Sequence, residues 1–102
     1  MLETIQKHQA ELAELCRRFN IQRLEVFGSA TGSHFDPETS DLDFLITFGD
    51  LQQGQYADSY FGLLEALEQL FQRHVDLVVS SAITNPYFLE GIKPTRTLVY
   101  AA

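Results

Sequence analysis

The 102-residue chain, 45% apolar, is long enough for one domain with its own core, so residues 1–102 read as a single unit. Cys16, the one cysteine, excludes an internal disulfide. No run approaches the ~20 apolar residues of a membrane span, and the charged N-terminus has no signal-peptide apolar stretch, so a cytoplasmic protein without a membrane is expected. A formal net charge of −7, with no Lys or Arg between Arg23 and Arg73, argues against direct nucleic-acid binding, which calls for a basic stripe.

The first element predicted is an amphipathic helix over 3–19, with Ile5, Leu12, Leu15 and Phe19 on its apolar face and Asn20 as its stop. "IQRLEVF" (21–27) reads as a strand ending at Gly28. Residues 29–33 could make one helical turn, and "HFDPET" (34–39) is loop by its Asp-Pro signal. "LDFLITF" (42–48) is a strand apolar enough to be buried on both faces. A second amphipathic helix spans roughly 56–72 through Phe61, Leu64, Leu67, Leu70 and Phe71. "HVDLVV" (74–79) is a third strand. Asn85 then caps a short helix with Pro86 at its first position. Residues 95–102 fit either a strand or a helical end.

This order gives an α/β (α+β) fold, a small mixed β-sheet flanked by helices. The link from 27 to 42 lacks a crossover helix, so the first two strands should be antiparallel. The link from 48 to 74 contains one, so the second and third should be parallel.

Three carboxylates carry the chemical argument. Asp41 and Asp43 are two apart and so point to the same side of their strand; Asp76 lies on the next strand, where a cross-strand neighbour sits ~5 Å away. Three such groups repel one another unless a cation joins them. Mg²⁺ prefers oxygen ligands, and two ions ~4 Å apart can clamp the attacking and leaving oxygens of a phosphoryl displacement. The alternative is plainer: Asp41 as a turn residue, Asp43 as a solvated strand residue and Asp76 as a surface acid. Gly28 and Ser29 sit at the end of a strand, where backbone N–H groups and a hydroxyl can hold phosphate oxygens. Their alternative is an ordinary tight turn. The segment lacks the lysine and spacing of a Walker A loop.

Gly28-Ser29, the loop to Ser40, Asp41-Leu42-Asp43-Phe44 and Asp76 on a later strand together resemble the DNA polymerase β-like nucleotidyltransferases. The likeness is greatest to the minimal nucleotidyltransferases (MNT proteins), and it runs over nearly the whole chain, to the "NPYF" helix. The resemblance implies the nucleotidyltransferase fold and transfer of a nucleoside monophosphate, AMP from ATP or another NTP, to a hydroxyl with release of pyrophosphate. It implies Gly28 and Ser29 on the triphosphate, and Asp41, Asp43 and Asp76 on two Mg²⁺ ions, for which Mn²⁺ can substitute. Asp76 would also accept the proton of the attacking hydroxyl. The implied partner is a HEPN-domain toxin, AMPylated on a tyrosine by its MNT antitoxin in a type VII-like toxin–antitoxin system. The assembly would be a hetero-oligomer with that partner, or a homodimer alone. The alternative is a weakly active or inactive nucleotide-binding antitoxin that neutralises its partner by complex formation.

One departure stands out. Many members have Gly-Ser-x-Ala-Arg-Gly, whereas Gly28-Ser29-Ala30-Thr31-Gly32 has no basic residue. Arg23, Arg73, Lys93 and Arg96 remain as cations that could fold back towards phosphates. His8, His34 and His74 form no metal-ligand spacing, and Cys16 reads as a packing residue. Tyr56, Tyr60, Phe61, Tyr87 and Phe88 read as core or rim, with base stacking or partner contact as the alternative.

Overall fold

The apolar runs at 21–27 and 42–48 become the two inner strands of a four-stranded sheet, β1 (Ile21–Phe27) and β2 (Leu42–Phe48). The computed structural model describes residues 2–28, 41–83 and 85–102, with the side chains of residues 2 and 3 left aside. Ser29 and the predicted turn and loop over 29–39 lie outside the described residues.

The elements preceding and following these strands are helices α1 (Leu2–Lys7), α2 (Gln9–Arg18) and α3 (Gln55–Phe71), strand β3 (Val75–Val79), a short 3-10 turn at Ser80–Ala82, helix α4 (Pro86–Ile92) and strand β4 (Thr97–Ala101). The strand order is β3-β2-β1-β4. β1 runs antiparallel to β2 and β4, whereas β2 and β3 are parallel, which is the mixed sheet the connections predicted. The segment whose sequence fitted two states is a strand, β4.

The helix predicted over 3–19 is in fact two. His8 leaves helical geometry (φ −101°, ψ 17°), its N–H bonding the Ile5 carbonyl and its own carbonyl receiving the Leu12 N–H. The turn places the imidazole edge-on to Phe71 of α3, with ring centroids 5.5 Å apart, and Ile5 still enters the core. Asn20 ends α2 in the left-handed region (φ 55°) and accepts the Gly49 N–H, tying the start of β1 to the end of β2. At Gly62 a β carbon would lie 2.4 Å from the Phe19 ring, so only glycine lets α3 approach that ring so closely.

Side chains alternate along each strand, and the alternation divides the sheet into two unlike faces. Leu24, Val26, Leu42, Phe44, Ile46, Val75 and Leu77 face the helices and form the core with Leu12, Cys16, Leu63 and Leu67. Each side chain of this size contributes roughly 1.5–3 kcal/mol by leaving water. Burial pushes the Cys16 thiol up to about 12, so it packs as an inert apolar group. Glu25, Phe27, Asp43, Leu45, Asp76 and Val78 point the other way, as the register pairs Glu25–Leu45, Phe27–Asp43, Asp43–Asp76 and Leu45–Val78 require.

Both sheet edges are partly closed by side chains. On β3 the Tyr60 hydroxyl donates to the Leu77 carbonyl at 2.8 Å, and Glu68 accepts the Val75 N–H at 3.1 Å. On β4 the Gln9 amide donates to the Val99 carbonyl at 2.9 Å.

Candidate active site

β1, β2 and β3 carry one row of side chains across the face opposite the main core: Phe27, Asp43 and Asp76, paired in direct register. The row exists because an antiparallel neighbour aligns Phe27 with Asp43 and a parallel one aligns Asp43 with Asp76. Asp43 is half-buried in the row, whereas Asp76, on the edge strand, keeps 55% of its side chain exposed. Asp41 precedes β2 and is exposed.

The electrostatics single out Asp43. Its carboxyl is pushed up to about 6, first by burial, then by the hydrogen bond that its protonated form donates to Asp76 and by the negative charges of Asp76 and Asp41, with His74 opposing. The sheet thus brings Asp43 and Asp76 together, while Asp41 acts on Asp43 through its charge. Among the described residues no group of three His, Cys, Asp or Glu side chains forms a ready metal cage. The donor set nonetheless suits a hard divalent cation: carboxylate oxygens only, of one sign, with the central one held against its preference for charge.

Gly28 follows Phe27 directly and takes φ +77°; a β carbon there would lie 2.8 Å from Asp43 Oδ2. Glycine is therefore required twice, by the backbone and by the carboxylate pressed against it. Its N–H donates to Thr95 Oγ1 at 3.0 Å. Ser29, the other residue expected on phosphate, lies outside the described residues.

His74 lies beside the pair, Nε2 3.6 Å from Asp76 Oδ1 and Nδ1 3.8 Å from Glu68 Oε2. A cavity of about 470 Å³ joins these groups, lined by Phe27, Asp43, His74, Asp76 and Phe88, and its size is that of a small-molecule site. Phe27 and Phe88 meet edge-on inside it, their centroids 5.9 Å apart. A larger open groove of about 600 Å³ runs between α2 and α3, past Glu14, Arg18 and Leu70, and contains none of the aspartates.

Two of the cations that could have turned towards phosphate are committed elsewhere. Glu25, 2% exposed, accepts from Arg23 Nε at 2.5 Å, from Arg96 Nε, and from Arg96 Nη2 at 3.0 Å. Arg96 and then Arg23 hold the Glu25 carboxyl below its ordinary value against the opposing effect of burial. Glu25 belongs to no motif in the sequence. The available signal was its place between Leu24 and Val26 with Arg23 two residues before it, on the same strand face.

Tyr56, Phe61 and Tyr87 are exposed, at 45%, 63% and 81%, so they belong to the rim, whereas Tyr60 packs against the core. Asn85 caps α4 as expected, its side chain accepting the Tyr87 N–H at 2.9 Å.

Comparison with known proteins bears on this geometry. Residues 11–99 match the model of the nucleotidyltransferase domain family. A Methanocaldococcus jannaschii protein with the provisional name protein adenylyltransferase is 31% identical over 98 residues, 96% of this chain and 91% of the other. A solved structure provisionally described as a minimal nucleotidyltransferase superposes with a TM-score of 0.73 at 30% identity, covering 93% of this chain and 92% of that one. A chain from the complex of tri-AMPylated Shewanella oneidensis HEPN toxin with MNT antitoxin shares the fold. Its TM-score is 0.65 at 17% identity, covering 96% of this chain and 73% of that one.

Proposed function

The chain belongs to the nucleotidyltransferase domain family, with a minimal nucleotidyltransferase among its relatives, and from that premise we propose that it is a Mg²⁺-dependent adenylyltransferase. It transfers AMP from ATP to a tyrosine hydroxyl of a HEPN-domain toxin and so serves as a cytoplasmic antitoxin. The observation that carries the reading is the Asp43–Asp76 pair, in register and backed by Gly28, with Asp43 disfavoured as an anion in the absence of a cation. The provisional name of the M. jannaschii relative supports the adenylyl group, and the AMPylated toxin seen with an MNT antitoxin supports the acceptor.

Asp41, Asp43 and Asp76 would hold two Mg²⁺ ions, which when bound neutralise the triphosphate and activate the acceptor oxygen. The turn at Gly28 and Ser29 would hold the phosphates in line with the acceptor. In the transfer the acceptor oxygen bonds to the α-phosphorus, the bond from that phosphorus to pyrophosphate breaks, and the acceptor proton passes to Asp76, directly or through water. Asp76 suits this role because it is the more exposed of the register pair, at 55%. Phe27 and Phe88 supply the aromatic part of the cavity wall. Incubation with labelled ATP, Mg²⁺ and a HEPN-domain protein from the same genome tests the assignment. Label should reach a tyrosine of that protein and vanish in Asp43→Ala; label that persists in the variant sinks it.

The second reading, an antitoxin that works by complex formation with a weak site, is favoured by one observation. Arg23 and Arg96 are both bound to Glu25, and the turn itself has no basic residue. Equal protection of cells by wild type and by the Asp41→Ala/Asp43→Ala double variant would select it.

A further inference from the structure

The connection from α4 to β4 is tied to the end of β1 by three consecutive residues. Thr95 Oγ1 accepts the Gly28 N–H at 3.0 Å and donates to the Ile92 carbonyl at 3.0 Å. Arg96 holds the Glu25 carboxylate, and Thr97 pairs with Val26. The Thr95 hydroxyl is thus used in both directions: its lone pair fixes the Gly28 peptide, and its proton fixes the last turn of α4. Gly28 in turn is the wall against which Asp43 Oδ2 rests, with no room for a β carbon between them.

On the nucleotidyltransferase reading above, we infer that Thr95 is a positioning residue for the nucleotide. Its hydroxyl holds the peptide of Gly28, the residue proposed on the triphosphate, and with it the surface against which Asp43 Oδ2 rests. Thr95 itself touches neither phosphate nor acceptor. Threonine suits the task because β-branching restricts χ1, so the hydroxyl is held with little further loss of rotamer freedom. Serine keeps both hydrogen bonds on a looser side chain. Valine keeps the shape and loses both hydroxyl bonds; the Ile92 carbonyl keeps the backbone N–H of residue 95, so the loss falls on the part-buried Gly28 N–H.

The test compares full-length wild type, Thr95→Val and Thr95→Ser. It measures affinity for a non-hydrolysable ATP analogue with Mg²⁺, KM and kcat for transfer, and hydrogen exchange at the Gly28 amide. In Thr95→Val, exchange at Gly28 should be at least about tenfold faster. Analogue affinity should fall and KM for ATP rise by roughly tenfold, with kcat within about threefold. Thr95→Ser should stay within about threefold of wild type on every measure. Thr95→Ala repeats the comparison should the valine variant fail to fold. A purely structural role would lower the active fraction, hence kcat, at unchanged KM, and that result overturns the inference. So does a serine variant as impaired as the valine one. Wild type that binds no analogue overturns the nucleotidyltransferase reading, and this inference with it, whereas binding that is equal in wild type and Thr95→Val overturns the inference alone.

Discussion

On the helix-covered side of the sheet, Leu24, Phe44 and Ile46 are shut from water; one position along the same strands, on the other side, stand Glu25, Asp43 and Leu45. The second side contains two acids withdrawn from solvent on adjacent strands, and they are treated in opposite ways. Glu25 receives two guanidinium groups, and its carboxyl is held low chiefly by the hydrogen bond from Arg96. Asp43 has Asp76 and Asp41 as neighbours, and its carboxyl is pushed up to about 6, chiefly by burial. Burial opposes ionisation of both groups; the sign of the neighbouring charges decides the outcome. The compensated acid belongs to the scaffold. The uncompensated one has the character of a functional site, because the charge it lacks is one that a bound cation can bring.

Three substitutions probe this contrast. The largest effect is expected on the covered face: Phe44→Ala should cost about 4 kcal/mol in urea unfolding, because Phe44 is 0% exposed and packs near Phe71. An undiminished midpoint would mean that the helices do not close over this face. Next comes Glu25→Ala, which strips the shared partner from Arg23 and Arg96 and should cost about 2 kcal/mol, less than a fully buried pair because both guanidiniums can rehydrate. Glu25 is depressed in the fold, so its contribution is complete above the ordinary glutamate value of 4.5. It is lost as pH falls below that value and through the lower folded one. The variant and the wild type should therefore converge in acid.

The smallest change carries the opposite sign. Asp43→Asn should stabilise the metal-free protein at pH 7.5 by about 1 kcal/mol, after allowance for solvent screening, which amounts to several degrees in Tm. The folded carboxyl titrates at about 6 against an ordinary 3.8, so the unfolded chain gives up its proton first. The penalty is absent below the lower value, grows between the two and is complete above the higher. Thermal scans across pH should show the gain of the variant disappearing in acid. Added Mg²⁺ should raise the Tm of wild type and leave Asp43→Asn unmoved; a variant that responds equally would detach Asp43 from metal binding.

Much of this architecture is written in local patterns. The β1 and β2 boundaries follow from segments rich in apolar residues that end at Gly28 and Gly49, and the Asn85-Pro86 cap from the chemistry of two residues. The break at His8 is not written there, because Ile5 and Leu12 are seven apart and share a face whether the helix is whole or kinked; Phe71, far along the chain, receives the imidazole. The site divides in the same manner. Asp43 and Asp76 could be placed on paired strands from the helical link between them, whereas the difference between them, one half-buried and one solvated, depends on which strand takes the edge. Thr95 and Arg96 were invisible as neighbours of Gly28 and Glu25, since sequence separations of 67 and 71 leave no periodic trace.

The side chains along the two rims of the sheet bear on how copies of this protein behave in a crowded solution. An open four-stranded sheet has two adhesive borders, each able to recruit another strand and begin an aggregate. Here Tyr60 and Glu68 occupy backbone groups on one border and Gln9 occupies one on the other. A strand arriving from a second molecule would have to break those bonds before gaining its own.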